Sequence, residues 1–249
     1  MKISIITVCY NSAKTIEETL KSVQNQTYKN IEYIVIDGAS KDATTSIIEK
    51  YKDIITYFSS EPDKGLYDAM NKGIQQATGD YVGIINSDDV FYDNKTIEKV
   101  ADYFAEHPHL DAITGNIVQH KNNRIIRKYS SANWSPEKLK RGFMPPHPAI
   151  FMKTSLYHKF GLYRLDYKIS ADYELIIRFF LKEKISYQYS GITTTSMAVG
   201  GASSSGYKSY KVITREVKKA FKQNNIGYSP LKVRFRFLWK IFGYINVNK

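Results

Sequence analysis

Cysteine is nearly absent from this 249-residue sequence, with Cys9 the single example. One thiol excludes an internal disulfide framework and any cysteine-rich zinc site, and it fits a reducing compartment. Long hydrophobic runs are missing too: no segment reaches the roughly 18 uninterrupted apolar residues of a membrane span. The start "MKISIITVCY" has one Lys and lacks a small-residue cleavage site, so it reads as a first strand rather than a signal peptide. A soluble or peripheral protein is expected. Glycine loops for phosphate are also lacking, because the first strand runs into "CYNSAKT" with no G-x-G-x-x-G, and no G-x-x-x-x-G-K followed by Ser or Thr occurs. That disfavours a dinucleotide enzyme and leaves metal and side chains to hold any phosphate. Acid is in deficit, 24 Asp plus Glu against 36 Lys plus Arg, for a formal charge of +12. Such an excess favours an anionic partner: nucleic acid, an anionic membrane or a phosphorylated substrate. Residues 207 to 249 concentrate it, with eleven Lys or Arg and one acid, Glu216.

What is present is an alternation. With 43% apolar residues, the chain is long enough for one large α/β domain or for a domain with a C-terminal appendage. β-Branched apolar runs at 3 to 8, 31 to 36, 54 to 58 and 81 to 85 read as buried parallel strands. Helical patterns at 15 to 24, 41 to 51 and 66 to 77 lie between them. The first places Ile16, Leu20 and Val23 on one face, behind Ser12 as a cap. This order predicts a doubly wound half that binds ligands at the carboxyl ends of its strands. Polar residues fall at those ends: Tyr10 and Asn11, then Asp37, then Glu61 and Asp63, then Asn86, Asp88 and Asp89. After a helix at 95 to 106 the pattern turns irregular. Strands near 111 to 119 and 124 to 129, a short helix from 135, a helix at 171 to 183 and a strand near 185 to 192 predict a mixed, more antiparallel sheet.

Three acidic positions carry chemical signals. Asp88 and Asp89 close "IINSDDV", where two adjacent carboxylates repel each other unless water or a cation meets them. Hard cations such as Mg2+ or Mn2+ prefer carboxylate oxygen and bridge readily to a diphosphate. The plain alternative is an acidic turn that caps the helix at 95 to 106. Asp37 ends strand two in "IVIDGAS", as in nucleotide sites where a carboxylate accepts hydrogen bonds from base or ribose. Ser40 can supply the following helix cap and leave Asp37 free. Asp172, in "KISADYELIIRF", begins an amphipathic helix whose dipole favours its ionised form, which suits either a general base or a simple cap.

Three segments in order, "ISIITVCYNSAKTIEETLKSVQNQTYKNIEYIVIDGASKDAT", "EPDKGLYDAMNKGIQQATGDYVGIINSDDVF" and "HPAIFMKTSLYHKFGLYRLDYKISADYELIIR", resemble the family 2 glycosyltransferases over roughly residues 1 to 200. Those are inverting enzymes of GT-A fold that use nucleotide-diphosphate sugars. The resemblance implies an α/β chain with a GT-A domain at 1 to 205 and a basic helical extension at 206 to 249. Within the domain, 1 to 110 would be a Rossmann-like nucleotide-sugar half and 111 to 205 an acceptor half with a mixed sheet. It implies Tyr10 as the aromatic contact to the base, with Asn11 beside it, and Asp37 as the acid on base or ribose. Asp88 and Asp89 match the metal and diphosphate motif written D-x-D, and Asp172 matches the catalytic base. "EPDKGLYDAMNKGI" is characteristic of a subset of bacterial members and places Lys64, Asp68 and Asn71 near the donor, although Asp68 and Asn71 would equally serve their helix. Asn86 stands where many members have Asp, which keeps a polar group at the donor site with one charge fewer. No His follows His158 to complete the metal site as in some members. His147, between prolines in "MPPHPAIF", is a candidate contact to acceptor or sugar, or a buried structural histidine.

The reading that follows is a metal-dependent inverting hexosyl- or N-acetylhexosaminyltransferase using Mn2+ or Mg2+, with a UDP-sugar as the favoured donor. Its acceptor would be a lipid-linked glycan in bacterial surface polysaccharide assembly. The tail "LKVRFRFLWKIFGYINVNK" spaces Lys232, Arg236 and Lys240 by four, opposite Leu231, Phe235, Leu238, Phe242 and Ile245. That is the pattern of an interfacial amphipathic helix, or of one packed on the domain. The basic charge would then meet an anionic membrane surface through residues 230 to 249, with no nucleic acid involved. A cytoplasmic protein, peripheral on the inner face of the plasma membrane, is expected. "GGASSSG" reads as a lid or as a plain loop. Two alternatives remain open: a sugar-1-phosphate nucleotidyltransferase, which should carry a Gly- and Arg-rich loop after strand one, and a non-catalytic module that binds anionic surfaces. Against the latter stand the acids at three strand or helix ends.

Overall fold

The computed structural model describes residues 1–121, 124–198 and 207–234. Alternating burial builds its first half. β1 (Ile3–Cys9) and β2 (Ile31–Asp37) pair in parallel, from Ile3 opposite Ile31 to Cys9 opposite Asp37. Because side chains alternate across a strand, Ile5, Cys9, Tyr33 and Val35 face one side, and Ile6, Val8, Ile34 and Ile36 the other. The first side packs on α1 (Ile16–Gln24) through Ile16, Leu20 and Val23, and on α4 (Thr96–Glu106) through Ile97, Val100 and Phe104. The second packs on α3 (Leu66–Gln76) through Tyr67, Met70 and Ile74. Each fully buried Ile or Leu in these layers contributes about 1.5–3 kcal/mol relative to exposure.

β4 (Tyr81–Ile84) extends the sheet beside β1 and β3 (Tyr57–Ser60) extends it beside β2, both in parallel, with α2 (Thr44–Glu49) crossing between β2 and β3. The third strand lies later than the apolar run at 54 to 58 suggests. Lys52–Ile54 forms a 3-10 turn, Ile54 and Ile55 pack toward the α1 layer, and pairing with β2 begins at Tyr57 opposite Ile34.

Past β4 the sheet reverses. β8 (Ile150–Lys153) runs antiparallel to both β4 and β6 (Ala112–Lys121). Gly83 permits that contact, since a Cβ there would lie 2.3 Å from the Phe151 ring. β9 (Tyr187–Ala198) is parallel to β6, β5 (Asp89–Phe91) lies antiparallel along β9, and β7 (Arg124–Ser130) pairs antiparallel with β6. Among the described residues the strand order is β3-β2-β1-β4-β8-β6-β9-β5, with β7 branching from β6.

Two helical expectations change in detail. The segment from 135 is a 3-10 helix at Pro136–Arg141, and the helix at 171 to 183 is α6 (Ala171–Ile176) continued by a π-helical turn at Ile177–Lys182. Arg178 in that turn donates to the carbonyls of Gly161 and Leu162 at 2.7 and 2.8 Å and pairs with Glu174 at 2.9 Å, tying α6 to the end of α5 (Thr154–Phe160). α7 (Tyr207–Gln223) and α8 (Pro230–Arg234) follow, and Val217, Ala220, Phe221 and Val233 enter the core cluster that holds α6. The tail from Phe235, including Arg236, Leu238, Lys240, Phe242 and Ile245, and the "GGASSSG" segment lie outside the described residues. No helix among the described residues is long and apolar enough to cross a membrane.

Candidate active site

The parallel register aligns the carboxyl ends of β1, β2 and β4 along one edge. Asp37, at the end of β2, is fully buried and occupied as an acceptor. Ser40 donates its N–H to Oδ2 at 2.9 Å and its hydroxyl to Oδ1 at 2.5 Å, and the Ser60 hydroxyl donates to Oδ2 at 2.6 Å. Ser40 therefore serves Asp37 instead of capping α2, where Asp42 accepts the Thr44 N–H at 3.0 Å. The Cys9 thiol lies 3.5 Å from Asp37 Oδ1, and burial together with that carboxylate pushes it well above its ordinary range.

Tyr10 stands out into solvent at the end of β1, 61% exposed. Asn11 beside it takes the left-handed conformation with φ 50°. Its N–H donates to the Ser40 hydroxyl at 2.8 Å, and its Oδ1 accepts the Lys41 N–H at 2.8 Å. Gly38 lies close by, since a Cβ there would fall 2.5 Å from Asp63 Oδ2 and 3.4 Å from the Tyr10 ring. An exposed ring next to a side-chain-free residue and a carboxylate offers a stacking face and hydrogen-bond acceptors to a planar base. The β1 and β4 loops are joined by the Ser12 and Ser87 hydroxyls at 2.8 Å. Ser12 thus does not cap α1 with its side chain; its carbonyl accepts the Thr15 and Ile16 N–H groups at 3.0 and 2.9 Å.

Asp88 and Asp89 have opposite surroundings. Asp88 is exposed, whereas Asp89 is 1% exposed and opens β5. The Asn86 side-chain amide donates to Asp89 Oδ2 at 3.2 Å, and the Thr19 hydroxyl donates to the Asp89 carbonyl at 2.7 Å. Burial, and then the Asp88 charge, push the Asp89 carboxyl up to about 7, against the Asn86 hydrogen bond. Asp93 organises the turn before α4, its Oδ1 accepting from the Lys95 N–H at 2.9 Å and the Thr96 hydroxyl at 3.2 Å, and the Ile97 N–H at the helix start donates to Gln26 Oε1 at 3.0 Å. Among the described residues no three His, Cys, Asp or Glu side chains gather at one point, so there is no all-protein metal cage there. The donors present, an exposed carboxylate on Asp88 and the buried, unpaired Oδ1 of Asn86 two residues earlier, fit a hard cation that keeps water and shares substrate oxygens.

α3 links this edge to a second group. At its start the Lys64 N–H donates to Asp68 Oδ2 at 2.9 Å, the Gly65 N–H to Asp63 Oδ1 at 2.7 Å, and the Lys64 side chain is exposed. Asn71 is spent elsewhere. Its amide donates to the Tyr163 carbonyl at 2.8 Å and accepts the Tyr163 N–H at 2.9 Å, as a second strand would. Tyr163 then presents its hydroxyl 2.6 Å from His147 Nε2, and burial lowers His147 to about 4, so the ring is neutral at pH 7. Tyr67 stacks on Tyr163 with centroids 5.6 Å apart, donates to the Ile169 carbonyl and lies 3.4 Å from Asp172 Oδ1.

Asp172 sits in the first turn of α6 and keeps partial solvent access. Burial pushes its carboxyl up to about 6, against the Tyr173 N–H at 2.7 Å and the Tyr67 hydroxyl. Such a group is ionised at neutral pH yet basic enough to take a proton. Tyr67 and Tyr163 were not singled out in the sequence. Tyr67 had a signal, lying inside "EPDKGLYDAMNKGI", whereas Tyr163 is meaningful only once folding sets it against His147 and Asn71.

Comparison with known proteins bears on the family and the fold. Residues 4–191 match the model of Glycosyl transferase family 2. An uncharacterised glycosyltransferase of Mycobacterium tuberculosis is 34% identical over 181 residues, 71% of this chain and 68% of the relative. A PGL/p-HBAD biosynthesis glycosyltransferase of Mycobacterium bovis is 29% identical over 196 residues, 78% of this chain and 75% of the relative. Among solved structures, S. aureus TarS 1-349 in complex with UDP-GlcNAc aligns with a TM-score of 0.71 at 23% identity, over 100% of this chain and 74% of that one. A mannosyltransferase from Pyrobaculum calidifontis in complex with GDP-Man and Mn2+ gives 0.67 at 19% identity, over 99% and 70%. At those identities the structural likeness establishes the fold, which is GT-A. With a family model matching most of its length and a relative above 30% identity, the chain belongs to glycosyl transferase family 2.

Proposed function

We propose that the chain moves a sugar, with inversion, from a nucleotide-diphosphate sugar to a hydroxyl of a glycan acceptor. The observation that carries this reading is the partly accessible Asp172 carboxyl, pushed up to about 6 and joined through Tyr67 to the helix that begins just after Lys64 and carries Asp68 in its first turn. Tyr10 stacks on the base, Asp63 and the Asn11 loop border it, and Asp37 holds that loop through Ser40. Asp88 and Asn86 face the diphosphate, with Lys64 near its charge. Asp88 is the residue that would hold a Mg2+ or Mn2+ ion, whose positive charge would then be supplied to the leaving diphosphate. Asp89, being buried, sets the position of this loop instead of meeting the ion directly.

Asp172 accepts the proton of the acceptor hydroxyl as its oxygen bonds to the anomeric carbon. The bond from that carbon to the diphosphate oxygen breaks on the opposite face, and the nucleoside diphosphate leaves. His147, neutral and fixed by Tyr163, presents its ring to the acceptor or the transferred sugar. The donors bound by TarS and by the mannosyltransferase, UDP-GlcNAc and GDP-Man, support a nucleotide-sugar donor, and a UDP-sugar is the favoured one. A turnover screen of UDP- and GDP-sugars with Mn2+ or Mg2+ tests the reading. One donor hydrolysed or transferred with inversion supports it, and no turnover with any of them, alongside tight binding of anionic polymers, favours a non-catalytic module.

The acceptor is lipid-linked in this reading, belongs to bacterial surface polysaccharide assembly, and is met at the inner face of the plasma membrane. Lys138, Lys140, Arg141 and Lys232 line a groove of about 590 Å3 between the 3-10 helix at Pro136–Arg141 and residues 227–232, where the single acid, Glu137, pairs with Lys140 at 2.8 Å and leaves a net positive charge. Their charge matches an anionic lipid surface. Arg141→Glu with Lys232→Glu should reduce sedimentation with phosphatidylglycerol vesicles; unchanged partitioning would remove the membrane from the proposal.

A further inference from the structure

Between α5 and α6 the chain has no regular structure, yet this loop delivers Asp172. Side chains from distant elements hold its peptide groups. The N–H groups of Lys168, Ile169 and Ser170 all donate to the carboxylate of Glu216 on α7, at 2.7, 3.0 and 2.9 Å. Ile169 is gripped on its other side as well, because its carbonyl accepts from the Tyr67 hydroxyl of α3. Glu216 is 4% exposed, and both of its carboxylate oxygens accept from this loop. Its charge is met by three peptide dipoles of one loop, so the carboxylate and the loop fix each other's position. It is also the one acid in residues 207 to 249, a stretch otherwise basic.

We propose that Glu216 and Tyr67 form a clamp that positions Asp172, making α7 part of the transfer apparatus rather than an appendage. The clamp rests on the reading of Asp172 as the base; Glu216 and Tyr67 are positioning residues. Asp172 follows the last clamped peptide by two positions, so releasing the loop displaces its carboxylate. A misplacement of about 1 Å can cost on the order of 100-fold in rate. Three groups face Asp172 besides its own helix: Tyr67 from α3, Tyr163 from the preceding loop and Glu216 from α7.

The test measures kcat, donor affinity and the pH profile of kcat in Glu216→Ala, Glu216→Gln, Tyr67→Phe and Asp172→Asn. Glu216→Ala should lower kcat by on the order of 10–100-fold with donor affinity kept within about twofold. Glu216→Gln, which retains one acceptor oxygen, should recover part of that loss, and removal of the negative charge should move its acid limb to lower pH. Should the Ala variant not fold, the Gln variant decides: kcat lowered with donor affinity kept supports the clamp, and a wild-type kcat overturns it. A folded Glu216→Ala with unchanged kcat, or with kcat and donor affinity lost in parallel, also overturns it. Asp172→Asn separates the two readings. If it transfers normally, the base assignment fails and the clamp with it; if it is dead while both Glu216 variants behave as wild type, the clamp alone fails.

Discussion

Asn71→Ala tests whether Asn71 contacts the donor or builds the acceptor side. Its amide satisfies both the N–H and the carbonyl of Tyr163, at 2.9 and 2.8 Å, and the side chain is 8% exposed. Truncation leaves two buried backbone groups without partners, at about 1–3 kcal/mol each. A water entering the vacated space recovers part of this, so a loss of about 2–4 kcal/mol is expected. For a chain of this length that lowers Tm by about 4–16 °C. Asn71→Asp should do no better, because it sets a carboxylate oxygen against the Tyr163 carbonyl. Urea unfolding at pH 7, with nucleotide titration of the folded variant, provides the assay. Unfolding at the wild-type midpoint combined with lost nucleotide affinity would refute the structural role and return Asn71 to the donor site.

Three further outcomes follow from the site's electrostatics. With Asp172 pushed up to about 6, kcat should fall about tenfold per pH unit below pH 6 as protonation removes the base, and a profile flat from pH 7.5 to 4.5 would exclude it. His147 is neutral in the fold with its pKa lowered to about 4, whereas the unfolded chain takes up that proton below its ordinary 6.5. Its contribution to stability is therefore lost as pH falls from 6.5 to 4, by up to about 3 kcal/mol. The raised carboxyls of Asp172 and Asp89 act in the opposite direction over much of that window, so the comparison is wild type minus His147→Gln, and parallel curves would contradict the burial effect. Asp88→Ala, or chelator added to the wild type, should weaken nucleotide binding by on the order of 10–100-fold. Unchanged affinity in both would remove the metal.

Where local pattern and tertiary demand agree, the fold was legible. The runs at 3 to 8 and 31 to 36 are central strands buried on both faces, and the one-sided stripes of α1, α3 and α4 meet the layers that their periodicity implies. β5 and β8 were not legible because they are three and four residues long; β5 begins with an acid and β8 follows the Pro146–Pro148 turn. Their pairing comes from partners about a hundred residues away in sequence for β5 and about seventy for β8 and β4. In the site, types and strand-end positions were readable, but which hydrogen bonds each acid keeps was not. Asp37 was expected to be free and is enclosed by Ser40 and Ser60, while the adjacent Asp88 and Asp89 divide into one exposed and one buried carboxyl. Glu216 was visible only as a lone acid in a basic stretch, and its partners lie 46 to 48 residues earlier.

In the proposed mechanism one carboxylate, Asp172, takes the acceptor proton at a site distinct from that which holds the nucleotide. Single-turnover transfer and donor affinity measured side by side in Asp172→Asn test it most directly. A rate loss of about 10²–10⁴-fold with donor affinity unchanged is expected. Transfer at the wild-type rate, or affinity lost in proportion to rate, would contradict it.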